Sequence, residues 1–581
     1  MAQIFINKFN KGSEENSQLG MGNIVGIDTY SKKGVARLAK KSVPITTNFT
    51  SYPTFVDFSS GGTTIWVQCA DGSILYSTDG GLTFTATDTS AMVSAGAHGN
   101  GMIFFQNFMI AFTDTAIWYW QDSGSPNPNT GQNPASGAWV NWTSDKTLGA
   151  LQAFGTDPID KIHFPFLYPN NRGVYFGNGG AGGAGGVTSA SAQTSSVGFF
   201  GQVAQTAFNP KGTINVDFLW NNGILQLPSY NWTVGAINFL PPTKLALAVS
   251  QWTNPAQGAD IITWDTVSAN KFDPPLRIFS NINANGGTIT AGIKQLWNRN
   301  QVLYAVTGGN HSIYETNGSS FNLLEDISLY SNIRATAGGE TDFPIFFNSF
   351  PSAISVVGNK LLTGVAPMTS TATYPTATNG FFPVGVWSIA FNKDGSHSTQ
   401  LEYPIPLGFN ATTPTATGDF LKITCIKPIS TVSTSTKNIL IGFAYKSGAT
   451  TLYGVSLVEL FKYNDDIAFS TIESELFEIG TFLSPKQIGN IEINFVKKLK
   501  TAQTFDLAYR TGIEQNWTVI PYEGSTNVVV GDDTKNSYSY TSNPIGQVQY
   551  IQFRFRMATD SSVSTNSPEL RTIIINPQAN N

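Results

Sequence analysis

The sequence predicts an all-β protein, a β-propeller of about seven degenerate blades with an N-terminal arm and a C-terminal antiparallel β-sandwich. Three observations point there. Charged residues are 12% of the 581 residues and aromatics another 12%, against roughly 25% charge in an average soluble domain. With 56 glycines and long Ser, Thr and Asn tracts, that balance suits half-buried pleated strands joined by tight turns. One theme also recurs: an apolar strand, a turn of Gly, Asn or Asp, then a second strand carrying an aromatic. No long amphipathic helical stretch interrupts it.

Residues 1–45 read as the arm. Seven basic residues (Lys8, Lys11, Lys32, Lys33, Arg37, Lys40, Lys41) stand against three acidic ones (Glu14, Glu15, Asp28), and the apolar stretches IFI (4–6) and IVGI (24–27) are short. Such a segment is either a solvated arm or a docking segment that orders against a neighbouring subunit. On the docking reading the candidate residues are Lys32, Lys33, Arg37, Lys40 and Lys41.

The propeller is expected over 46–465. Its theme appears at 65–80, 102–121, 161–177, 244–264, 301–318, 360–395 and 439–459, with uneven spacing that blades with loop insertions tolerate. A blade cannot bury both faces alone, so the units must stack around a ring; the alternative is two or three unrelated β-sandwiches. The run GNGGAGGAGGVTSASAQTSSVGFFG (177–201) lacks the Gly-Lys-Ser/Thr of a phosphate loop and reads as a flexible insertion. KYNDD (462–466) reads as a boundary, and 466–581 as the sandwich. There IEINFVKKLK (491–500) and TFDLAYR (504–510) read as a hairpin, and YIQFRFRM (550–557) alternates Ile551, Phe553, Phe555 and Met557 with polar residues. Val548 and Tyr550 sit in the opposite phase, which predicts a bulge near 550. RTIIIN (571–576) supplies a closing strand.

YSTDGGLTF (76–84) reads Ser77-x-Asp79-x-Gly81-x-Thr83-Phe84 and resembles the Asp-box best known from sialidases. Its Ser and Asp can bond back to their own hairpin, its Gly permits positive φ and its aromatic fills the space between layers, so the motif speaks for fold rather than chemistry. A glycosidase needs paired carboxylates, and a sialidase an arginine cluster as well. The propeller region holds Arg172, Arg277, Arg299 and Arg334 in unrelated contexts, and Asp160, Asp265 and Asp342 read as turn residues. No catalytic residue is expected. His98, His163, His311 and His397 are dispersed, without zinc-ligand spacing. Asn392-Lys393-Asp394-Gly395 lacks the later Glu of a calcium loop, so neither metal nor cofactor is expected. Cys69 and Cys425 read as buried small hydrophobes rather than a disulfide framework. The aromatics of IWYWQ (117–121) read as blade core.

A net charge of −5 gives no drive toward nucleic acid or anionic membrane. No apolar run approaches the ~18 residues of a spanning helix, and the first twenty residues lack the pattern of a secretory signal. The expectation is a soluble protein made in the cytosol. The order of parts adds a resemblance. The arm with GIDTYSKKGVARLAKKSV (26–43), a degenerate propeller, and a last region with KKLKTAQTFDLAYRTGIEQNWTV (497–519) and SPELRTIIIN (567–576) together resemble tailed-bacteriophage virion proteins, among them the tail nozzle or tail-tube-end family.

That resemblance implies a non-enzymatic structural protein of the virion, arranged as copies in a ring around the DNA exit path. It also implies that arm and sandwich join the ring to adaptor or tube proteins. Low charge fits a duplex that slides without specific binding, since phosphate neutralisation would bring salt-sensitive drag. The runner-up is a glycan-binding tail-tip adhesin using loops 122–140 and 365–382; a sialidase-like glycosidase stands third.

Overall fold

Strands dominate the computed structural model of this chain, and the one helix among the described residues is the single turn Trp142–Asp145. The structure describes the chain outside 1–2, 7–20, 124–132, 152–161, 180–194, 252–258, 269–275, 279–292, 328–334, 337–341, 368–384, 405–419, 430–436 and shorter stretches. The first five strands are β1 (Ile4–Ile6), β2 (Met21–Val25), β3 (Ile27–Asp28), β4 (Ala36–Leu38) and β5 (Lys40–Ile45).

The protein is an all-β propeller. Six separate four-stranded sheets among the described residues begin at Pro53, Gly101, Phe166, Trp232, Ile293 and Phe420. Between the last two, strands Ile354–Val357, Lys360–Pro367, Gly385–Phe391 and His397–Tyr403 pair antiparallel in series, within a larger twelve-stranded sheet. Successive sheets touch along their first strands or the strands beside them, and Phe420–Pro428 returns to Pro53–Phe58, which closes the ring. The recurring stretches of the sequence fall on strands of these sheets, mostly the central ones, with 102–121 and 161–177 also taking in the outer first strand.

Buried amide and hydroxyl side chains bond the sheets to one another. Gln68 donates to the Phe112 carbonyl at 2.9 Å and accepts from the Gly101 amide at 3.0 Å. Asn238 donates to the Leu296 carbonyl at 3.0 Å, and Gln295 to the Phe350 carbonyl at 2.8 Å. Each side chain satisfies a carbonyl that would otherwise be stranded between sheets, where an unmade bond costs about 1–3 kcal/mol. Aromatics fill the remaining space: Trp66, Trp120 and Trp139 meet edge to face at 5.3–6.0 Å, so IWYWQ does lie in the sheet core.

The end of the chain forms two further sheets with one apolar core. One holds β1, β3 and β4 with Lys486–Phe495, Ser537–Tyr540, Ile545–Val548 and Glu569–Gln578. The other is the far half of the twelve-stranded sheet, with β2, Thr471–Ser474, Thr504–Arg510 and Tyr550–Ala558. Ile491, Ile493, Phe495, Phe505, Leu507, Ile551, Phe553, Phe555 and Ile573 bury between them. Strand 486–495 pairs with 569–578 and strand 504–510 with 550–558, so they lie in different sheets and are not the hairpin that sequence proximity predicts. RTIIIN is central rather than closing, flanked by β1 and β4 on one side and 486–495 on the other. The phase break falls at Gln549, between two strands, and beside it the pairing is irregular as expected near 550, with Lys486 opposite Val548 and Ile488 opposite Ile545.

The largest correction concerns the arm. Its described residues are strands of the fold. β1 pairs with Ile573–Ile575 and β4 with Glu569–Leu570. β2 pairs with Thr471–Ser474 and, in parallel, with Leu401. β5 is the outer strand of the last propeller sheet, with Val43 opposite Leu457 and Ile45 opposite Val455. Stretches too short for a core of their own suffice here, because each adds one buried face to a sheet built by distant residues. Residues 180–194 of the glycine-rich run lie outside the described residues, while its ends belong to strands Gly173–Asn178 and Ser196–Gln202.

Deleting residues 1–45 removes strands from three sheets. The expected result is loss of the single cooperative melting transition and of soluble monomer; a truncated protein that melts like the full chain contradicts this fold.

Candidate functional site

Among the described residues, three places with polar chemistry bear on function: the Asp-box turn, the clamp made by residues 28–41, and the propeller axis.

In the Asp-box, Ser77 Oγ donates to Asp79 Oδ1 at 2.7 Å and accepts from the Gly81 amide at 2.9 Å. Asp79 also accepts from the Thr83 amide at 3.0 Å and the Thr83 hydroxyl at 2.6 Å. Burial works against the charged form, but the bonds from Thr83, Ser77 and Leu82 outweigh it and hold Asp79 below its ordinary pKa. Gly81 has φ of +91°, a backbone conformation that favours glycine, and a Cβ there would sit 3.2 Å from the side chain of Leu457, a tight contact. Phe84 is buried and meets Phe49 at 5.3 Å, just past β5. The turn therefore braces the seam between the first and last propeller sheets. No described carboxylate pair or arginine group gathers beside it.

Of the basic residues taken as docking candidates, four are engaged within the chain. Lys32 pairs with Glu569 at 2.5 Å, Arg37 with Asp28 at 3.4 Å and Lys41 with Asp465 at 2.6 Å. Lys40 lies 3.7 Å over the Tyr463 ring. Lys33 is exposed. Asp28 lies only nine residues from Arg37, but Glu569, Asp465 and Tyr463 lie hundreds of residues from their partners, where the sequence gives no view of them.

A buried ionic set fastens this segment to the propeller. Lys360 Nζ bonds both oxygens of Glu402 at 2.9 Å and reaches Asp28 at 3.4 Å, and the Tyr403 hydroxyl donates to Glu402 at 2.9 Å. Around it, Thr29 donates to Gln400 at 2.7 Å and Tyr30 to the Phe391 carbonyl at 3.0 Å. Burial pushes the Asp28 carboxyl up. The Lys360 ammonium, the Ser31 hydroxyl and amide and the Arg37 guanidinium overcome that and hold it at about 2, against an ordinary 3.8.

The axis is a cavity of about 470 Å³ walled by the first strands of the propeller sheets and by 351–354. Its lining is mainly apolar, with Phe55, Met102, Phe164, Leu296 and Trp297 prominent. At its polar edge Asp57 accepts from the Phe104 amide at 2.7 Å and from Lys427 at 2.9 Å. Sequence reasoning missed this edge, although a signal was present: Asp57 in PTFVDF and Lys427 in ITCIKP are charges set in otherwise apolar strands.

The histidines serve separate places. His98 contacts Asp114 at 3.0 Å and His397 contacts Glu325 at 3.4 Å. His163 is buried with Nδ1 2.8 Å from the Gly177 carbonyl. His311 is buried between the Ser349 and Thr363 hydroxyls at 2.7 and 2.8 Å, and burial pushes its pKa down to about 3. Among the described residues no group of three or more His, Cys, Asp or Glu could hold a metal ion, and no helix is long and apolar enough to cross a membrane. Cys69 and Cys425 are free, buried and part of one apolar cluster. Arg299 stacks over Phe391 at 4.4 Å, and Arg172 is exposed. Asp160, Arg334, Asn392 to Gly395 and most of loop 365–382 lie outside the described residues.

Three measurements follow from this geometry. Asp79→Ala removes several half-exposed turn bonds and is expected to lower stability by about 1 kcal/mol in denaturant melts; an unchanged midpoint contradicts the bracing role. Acid should act in two stages. His311 has its folded pKa near 3, below an unfolded value of about 6.5, so its contribution is complete above about 6.5 and declines as pH falls toward 3. Asp28 likewise contributes fully above its ordinary 3.8 and loses its share, about 2 kcal/mol, as pH falls toward 2. Lys360→Met leaves two buried carboxylates without their shared cation, a loss of about 3–5 kcal/mol, and should remove the Asp28 stage from the stability profile.

No protein-family model matches the chain, and no curated protein matches it in sequence. Among solved structures, it is similar to "Structure of U3-55K" at 9% identity and a TM-score of 0.38, covering 72% of this chain and 98% of that one. "Crystal structure of RRP9 WD40 repeats" gives 9% and 0.38, with 73% and 99% covered. "YCF48 from Cyanidioschyzon merolae" gives 10% and 0.37, with 72% and 99% covered. The propeller assignment rests on sheet order and ring closure, and nothing about activity or partners passes from those chains to this one.

Proposed function

We propose that this chain is a structural component of a bacteriophage tail, of the nozzle or tail-end ring type, and that it has no enzymatic role. The clamp is the observation that carries this reading: β2 to β5 and the Asp28, Lys360 and Glu402 set tie the propeller and the last two sheets together. A part that must hold its shape in an assembly calls for that arrangement. In this reading the series Ile354–Val357 to His397–Tyr403 counts as a seventh blade, and the last two sheets are a sandwich.

The axis of the single propeller is not the route of the DNA, in keeping with the expected ring of copies around the exit path. A mainly apolar cavity of about 470 Å³ has no room for a duplex whose major groove alone is about 12 Å wide. The exit path therefore runs between copies of the protein in a ring, along their outer surfaces. Adaptor or tube proteins then meet those surfaces rather than an extended arm.

Mass spectrometry and antibody labelling of purified virions test the proposal. A fixed set of several copies at one end of the tail is the expected result. Presence only in the soluble lysate overturns it. Specific glycan-array binding by the isolated chain, with labelling at the outermost tail tip, supports the adhesin instead.

A further inference from the structure

The axial cavity has features that a void filled only by packing does not need. Its volume, about 470 Å³, lies within the roughly 300–1,000 Å³ of small-molecule sites. Phe164, on the cavity wall, has φ of +43°. That conformation is strained for a bulky side chain, and such strain gathers at ligand-holding sites.

Lys427 sets the preferred charge. One of its donors goes to Asp57 at 2.9 Å, while its side chain remains 39% exposed and lies 5.9 Å over the Phe58 ring. The Asp57 carboxylate is itself engaged by both Lys427 and the Phe104 amide, so it offers little repulsion to an anion. The remaining wall is aromatic and aliphatic.

We propose that the propeller axis is a binding site for one small aromatic anion, a ring system carrying a carboxylate or sulfonate. The rings lie against Met102, Phe164 and Trp297, and the acid group meets Lys427. This site is independent of the tail-protein reading, because it depends on the wall of the ring and not on what the ring joins.

The probe is 1-anilinonaphthalene-8-sulfonate with the full-length protein. The expected result is a single class of site, one probe per chain, with enhanced blue-shifted emission. Lys427→Gln should weaken binding about tenfold. Met102→Trp, which fills the cavity, should abolish binding while the melting transition stays cooperative. Should Met102→Trp fail to fold, Lys427→Gln decides the matter, since its position is partly exposed. Several weak probe sites per chain, or equal affinity in wild type and Lys427→Gln, overturns the proposal.

Discussion

The antiparallel pairing of β5 with Thr450–Tyr463 is the constraint on which the rest of the fold depends. A propeller sheet buries its faces only against neighbours, so the first and last sheets must meet or leave apolar faces in water. Here the outer strand of the last sheet comes from the beginning of the chain, which then passes directly into the first strand of the first sheet. Opening the ring therefore breaks a continuous strand ladder and exposes the cluster of Val67, Leu75, Phe84, Leu440 and Leu457. The Asp-box belongs to the same device, since Gly81 lets the turn approach Leu457 and Phe84 closes the space beside β5.

Much of the propeller was legible because its signal is local. Aromatic and β-branched alternation at 65–80, 102–121 or 439–459 needs no partner to be read, and those stretches became strands of the sheets, mostly central ones. Long-range pairing left no such trace. Nothing in IFI at 4–6 says that it will lie beside Ile573–Ile575, and nothing in KKSVPI at 40–45 names the strand ending at Tyr463. A short apolar stretch among lysines looks like a solvated arm when each residue is weighed only with its neighbours. The same locality turned 491–500 and 504–510 into a hairpin, although each pairs with a strand about fifty residues or more away.

The polar sites were legible in part. The Asp-box is read from eight residues because its bonds stay within eight residues. The clamp and the axial edge draw on residues from opposite ends of the chain, and their only trace was a charge inside an apolar strand. Asp57 and Lys427 each break an apolar run, and Lys360 opens one, at positions where a charge costs stability unless it is paired. That cost is a better pointer to a shared site than any spacing rule in a chain of repeated sheets.

The ionic clamp also answers a difficulty that strand pairing creates. Backbone ladders are generic, and a slip of one residue turns every side chain of a strand to the opposite face. β3 and β4 are two and three residues long, too short for packing alone to fix their register firmly. Asp28 supplies that register. It meets Lys360 from the propeller and Arg37 from β4 at once, and a slip at β3 would carry it away from both while leaving Glu402 and Lys360 buried in an incomplete set. The charges thus tie the position of two very short strands to a strand of the propeller more than three hundred residues onward, and in doing so they fix how the last two sheets sit on the ring.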